Sequence, residues 1–161
     1  MNGERRVGPC RTIVPGSASG PLLKSSDGVC FYTINPTSGV VAEKGHPLLG
    51  RSVAGTVLVF PNGKGSSVVQ LDGLYQLVKH NVSPVALIVE SLDTVLVSCA
   101  VIMNIPLVTE VDRGFFEALR DGTLVEVNAD AGTVAVVRQA PDSQEIRQGA
   151  MPDQRRMDER P

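Results

Sequence analysis

The stretch from His46 to Ser67, HPLLGRSVAGTVLVFPNGKGSS, constrains this chain more than any other. Its middle, Ser52 to Phe60, is rich in Val and Leu and ends in an aromatic, which suits a buried strand. Pro61-Asn62-Gly63 forces a turn, and Gly65-Ser66-Ser67 opens a segment with helical spacing. Gly63 and Gly65 carry no side chain that would keep a ligand off the backbone. The free N–H groups at the helix start favour a bound anion. Two readings of the turn stand side by side. Ser66 or Ser67 caps the helix and Gly63 makes the turn, or the hydroxyls and N–H groups face a ligand.

A chain of 161 residues makes one domain with a real core, and a tail besides. Net charge is −2, with neither sign concentrated in the body of the chain. That argues against nucleic acid or an anionic membrane as partner, since a phosphate backbone requires a clustered basic footprint. No apolar run reaches the ~20 residues of a bilayer span, and the charged N-terminus lacks a signal-peptide apolar core. A cytoplasmic location is therefore expected. Cys10, Cys30 and Cys99 are widely separated and read as reduced thiols, not as a disulfide framework or a metal site.

Taken in order, residues 1–8 form a polar N-terminus expected to be flexible. Arg11 to Val14 is a short strand, Pro15 to Gly20 is turn chemistry, and Val29 to Ile34 is a second strand closed by the Asn35-Pro36-Thr37-Ser38-Gly39 turn. After the strand ending at Phe60, Val69, Leu74, Leu77 and Val78 recur at helical spacing as far as His80-Asn81. Val85 to Glu90 is a strand buried on both faces, Asp93 to Met103 a second helix, Pro106 to Val111 another short strand and Phe115 to Leu119 a helical turn or two. Leu124 to Val127 and Thr133 to Val137 flank a five-residue loop and read as a hairpin. Residues 140–161 are polar and Pro-containing, hence an expected disordered tail. Strand and helix alternate only in the middle, so the domain, residues 9–139, is expected to be a layered α/β fold with a mixed sheet.

Four blocks carry a resemblance: Gly16-Ser17-Ala18-Ser19-Gly20, Asn35-Pro36-Thr37-Ser38-Gly39, His46-Pro47-Leu48-Leu49-Gly50-Arg51-Ser52-Val53-Ala54-Gly55 and Gly63-Lys64-Gly65-Ser66-Ser67. With Ala86 to Glu90, Ile105 to Val108 and Val127 to Val134, they make nearly the whole domain resemble the small subunit of aconitase X. The resemblance implies a swivelling β/β/α domain that joins a large subunit carrying an iron–sulfur cluster, with no cofactor in this chain. It implies a hydro-lyase that removes water from a small hydroxylated acid. Phosphomevalonate dehydratase is the nearer type, because of the short Asn104 to Val108 connection and the Gly122 to Val137 hairpin. The alternatives are a cis-3-hydroxy-L-proline dehydratase small subunit, or a non-catalytic interaction domain that kept the swivel fold.

By the same resemblance Ser66 is the base, acting as its alkoxide, with Gly65, Ser67 and Lys64 contacting substrate and no metal ligand in this chain. A serine is a poor base in water, so the site must stabilise an oxyanion. The bland alternatives are a helix cap for Ser67 and a solvated turn lysine for Lys64. His46 is expected to stabilise its loop, Arg51 to form a surface or intersubunit salt bridge, His80 to meet helix-end carbonyls, and Asp112 and Asp130 to bond their own turns. Val68-Val69-Gln70 depart from the family, which continues with small residues after Gly-Ser-Ser. Bulk at these positions suits a partner surface better than a substrate pocket.

Overall fold

In the computed structural model, which describes residues 5–141, strand and helix alternate only in the middle of the chain. The strands are Val7–Pro9 (β1), Arg11–Val14 (β2), Ser17–Lys24 (β3), Val57–Phe60 (β4), Ala86–Val89 (β5), Leu107–Thr109 (β6), Leu124–Asn128 (β7) and Thr133–Arg138 (β8). The helices are Ser67–Lys79 (α1), Thr94–Met103 (α2) and Arg113–Glu117 (α3). The tail expectation falls, from residue 142 onward, outside the described residues.

The uninterrupted apolar runs become parallel strands. β3, β4, β5 and β6 lie side by side in parallel, and every residue of β4, β5 and β6 is buried. Both helices that connect them, α1 and α2, pack on one face: Leu58 and Phe60 meet Leu74 and Leu77 of α1 and Leu96 of α2. The alternate residues, Val57 and Val59, point to the other face and meet Val125, Val127, Val134 and Val136. A strand with period two thus feeds two cores.

What folds the sheet over is β3. Ser17 to Pro21 pair antiparallel with β7, and Leu22 to Lys24 pair parallel with β4. Strand order runs β1-β8-β7-β3-β4-β5-β6-β2, so β1 and β2 occupy opposite edges although Cys10 alone separates them in the chain. The sheet must therefore curl until its edges approach. Cys10 N–H donates to Gly132 O at 2.9 Å, and the Thr12 hydroxyl donates to Ala129 O, stitching that seam. Curling also protects the two edges from pairing with another chain. The layers are β/β/α with a mixed sheet, as expected from the resemblance.

Several local expectations change. Pro15 to Gly20 is not a turn beyond Gly16, whose φ is +128°; Ser17 onward is the first half of β3, because small residues pack beneath the curled hairpin. Val29 to Ile34 is not a strand either. Val29 and Ile34 make single bridges around a 3-10 turn at Phe31–Thr33. The long strand expected from Ser52 shortens to β4, since Thr56 turns back to bond Val53 O through both its N–H and its hydroxyl. At the N-terminus β1 begins at Val7, two residues before the expected start of the domain, and pairs with β8.

Helix α1 matches its expected span, and it lies so close to the 3-10 turn that Gly73 has no room for a side chain. A Cβ there would collide with the backbone of Phe31 and Tyr32. On an exposed helix Gly→Ala is worth about 1 kcal/mol in the helix's favour. Here Gly73→Ala is expected to destabilise by about 1–3 kcal/mol instead, as overpacking does, and a denaturant titration measures the sign.

Candidate active site

The turn between β4 and α1 stands at the carboxyl ends of the parallel strands, where open α/β sheets place their ligands. Val29 anchors it: Val29 N–H donates to Asn62 O and Lys64 N–H donates to Val29 O, both at 3.0 Å. Gly65 follows with φ +100°, a value that suits glycine alone without strain. A cleft of about 420 Å³ opens over this turn, lined by Gly63, Gly65 and Gln70 and, across from them, by Ser91, Leu92 and Asp93. Asp93 caps α2 by accepting from Leu96 N–H at 2.7 Å.

Gln70 is the residue that sequence reasoning missed. It is 1% exposed, and its amide spans the backbone of the opposite segment. Its Oε1 accepts from Phe31 N–H at 2.8 Å, and its Nε2 donates to Val29 O at 3.0 Å. The side chain that looked too bulky for a substrate wall therefore points inward and holds the turn's anchor. Val69 is half-buried and Val68 faces outward, 74% exposed.

Lys64 is placed between two carboxylates. Its Nζ lies 2.9 Å from Glu43 and 3.1 Å from Asp27. The Glu43 hydrogen bond raises its pKa most; partial burial opposes this and the Asp27 bond adds to it. In turn the Lys64 ammonium, followed by the Gly28 N–H, holds the Asp27 carboxyl below the usual carboxylate range. Glu43 and Asp27 lie 21 and 37 residues away, so no local pattern announced them.

Ser66 occupies the N-cap of α1 with extended backbone (φ −74°, ψ 167°), yet its hydroxyl makes no capping bond. The first helical bond runs from Gln70 N–H to Ser66 O at 3.0 Å, leaving the N–H groups of Ser67, Val68 and Val69 without an intrahelical partner. Gly65, Ser66 and Ser67 are all exposed. The turn therefore presents a serine hydroxyl beside open N–H donors at the positive end of a helix, which is suited to an anion or an oxyanion.

The remaining polar candidates are absorbed by the fold. His46 is buried; its Nδ1 accepts from Leu48 N–H and its Nε2 faces Gly28 O, both at 3.0 Å, so the ring is the Nε2–H tautomer and stabilises its loop. Arg51 forms a surface pair with Asp121 at 3.8 Å, and His80 Nδ1 lies 2.8 Å from Gln76 O at the end of α1. Asp112 caps α3, whereas Asp130 accepts from Gly16 N–H, far away in sequence, and not from its own turn. Among the described residues no group of three His, Cys, Asp or Glu side chains is placed to hold a metal ion. No described helix is long and apolar enough to cross a membrane.

A parallel sheet with two helices on one face and a curled antiparallel half on the other, presenting a serine at the first helix start, defines a swivelling β/β/α domain. The aconitase X swivel domain matches residues 8–136, and the chain belongs to that family. It is 40% identical over 129 residues to the phosphomevalonate dehydratase small subunit of Methanosarcina acetivorans, covering 80% of this chain and 89% of that one. It is 41% identical over 123 residues to the subunit of the same name from Methanocella arvoryzae, covering 76% and 92%. The fold is similar to the crystal structure of holo-form aconitase X from Thermococcus kodakaraensis, with a TM-score of 0.74 and 36% identity over 83% of this chain and 99% of that one.

Two substitutions test how the turn is held. Gln70→Leu strands the buried Phe31 N–H, at roughly 1–3 kcal/mol for the orphaned group, while Val29 O keeps the Lys64 N–H, and the expected loss is read from a denaturant midpoint. Lys64→Met tests the ion pairs. Asp27 titrates below its ordinary value in the folded chain, so its contribution is complete above that value and disappears as pH falls through the lowered one. The melting-temperature penalty of Lys64→Met is thus expected at about pH 6 and shrinks toward about pH 2. A penalty independent of pH would mean that the lysine's methylenes hold the turn.

Proposed function

We propose that this chain is the small subunit of a cytoplasmic, heterodimeric aconitase X-type hydro-lyase, of the phosphomevalonate dehydratase kind, and that Ser66 is its base. The observation that carries this reading is the Ser66 hydroxyl: it stands at the N-cap position without capping, next to N–H groups that no helical carbonyl uses. A serine present only to start the helix would bond the N–H of the second or third helical residue.

The chain's own residues do the following. Ser66 Oγ, as alkoxide, takes the proton from the carbon adjoining the one that bears the departing hydroxyl. The N–H groups of Ser67, Val68 and Val69, with the positive end of α1, lower the cost of that negative oxygen once the partner excludes water. Gly65 lets the substrate approach the backbone, and Ser67 and Gly65 contact an acidic group of the substrate. Lys64 meets the substrate only by leaving Glu43 and Asp27; as placed, it fixes the turn and not the anion. When bound, the large subunit's iron–sulfur cluster would supply a Lewis acid to the departing hydroxyl, which leaves as water. Similarity to subunits named for phosphomevalonate dehydratase supports a phosphorylated hydroxy acid as substrate.

Ser66→Ala, assayed in the assembled enzyme at saturating substrate, is expected to lower turnover on the order of 10²–10⁴-fold. Ser67→Ala, which removes a neighbouring hydroxyl, is expected to keep most of the activity. Full activity in Ser66→Ala ends the catalytic reading. Equal losses in both variants that track equal losses of stability would leave the turn as a helix entrance in an interaction domain.

A further inference from the structure

We infer that the groove between α1 and α2 is the seat of an apolar segment of the large subunit, continuous with the shared active site. The inference rests on the reading of this chain as a small subunit. Helix α2, TVLVSCAVIM, has no charged residue along its length. Leu96, Cys99 and Ala100 fill the core, while Ile102, 59% exposed, lines the groove between the helices and Val101, 58% exposed, lies outside it.

The exposed apolar surface is contiguous. Two adjoining depressions of about 230 and 350 Å³ share Leu71 and Ile102 and run along the seam between the helices. Ser67 and Val95 line one end, Val68 and Tyr75 the other wall, and Asp72 is the charged residue at the margin. Single exposed apolar residues need no explanation, but a contiguous patch marks an interaction surface.

Place decides the occupant. The groove begins at Ser67, the residue after the proposed base, and Val68 stands out from the first turn of the same helix. A subunit that closes the site around Ser66 must cover the start of α1, and the groove is the surface it meets next. Residues 142–161 are a poor fit, since they offer only Ile146, Met151 and Met157 among polar neighbours. A second copy of the chain seated here would crowd its own helix starts together and shut out both substrate and large subunit.

The test measures assembly, not turnover. The full chain and its cognate large subunit are titrated against each other with three versions of this chain: wild type, Ile102→Glu in the groove, and Val101→Glu on the same helix outside it. Both positions are exposed, so both variants are expected to melt within a few degrees of wild type. Ile102→Glu is expected to weaken the heterodimer on the order of tenfold or more, the loss typical of an interface anchor, with Val101→Glu within about threefold of wild type. Unchanged affinity in Ile102→Glu, or equal losses in both variants, overturns the groove as the seat. So does a homodimer of the free chain that Ile102→Glu dissociates while heterodimer affinity is kept. A wild-type chain that binds no large subunit at all would refute the small-subunit reading itself, and that result is distinct from the others.

Discussion

Everything in this molecule hangs on one strand serving two partners. β3 gives Ser17 to Pro21 to the antiparallel hairpin and its last three residues to the parallel sheet, and the change of partner comes between Pro21 and Leu22, just past Gly20. A side chain at Gly20 would strike the carbonyl of Gly55, so the loop that leads into β4 can lie directly against the bend. From that bend follow the curled sheet, the closed seam at Cys10 and Thr12, and a second core of valines between the two sheet halves. The helix layer is then confined to the opposite face, and both helix starts are delivered to one end of the sheet.

The site inherits its rigidity from that arrangement. β4 carries the turn, but the turn is held from the side by the segment around Val29, which is tied to α1 by Gln70 and to the loop ahead of the His46 block by Lys64. Phe31, fully buried, meets Phe60 edge-on at a ring separation of 6.2 Å, so the same segment is also packed against the end of β4. Backbone bonds, a buried amide and an ion pair with two acids converge on a few residues that leave the Ser66 hydroxyl unengaged. Preorganisation of this kind is what an oxyanion site requires, because donors already in place cost no rearrangement during reaction.

The departure from small residues after Gly-Ser-Ser takes on a structural meaning. Val68 projects into solvent and Gln70 projects inward, so neither stands over the open N–H groups. Bulk at Gln70 serves the turn's anchor, and bulk at Val68 leaves the start of the helix open.

The sequence by itself determined the buried core strands, both long helices with the end of the first at His80, the terminal hairpin and the position of the serine turn. All of these are local: they follow from periodicity, turn residues and apolar runs within a dozen positions. The tertiary structure alone decided that Ser17 to Pro21 is strand, that Phe31–Thr33 is a 3-10 turn, and that Lys64 is tied to Asp27 and Glu43. It alone showed Gln70 to be a clamp and the Ser66 hydroxyl to be free of the helix. Each of these is a contact between residues distant in sequence, where small polar side chains and glycines carry no periodic signal and packing against the curled sheet overrides local preference.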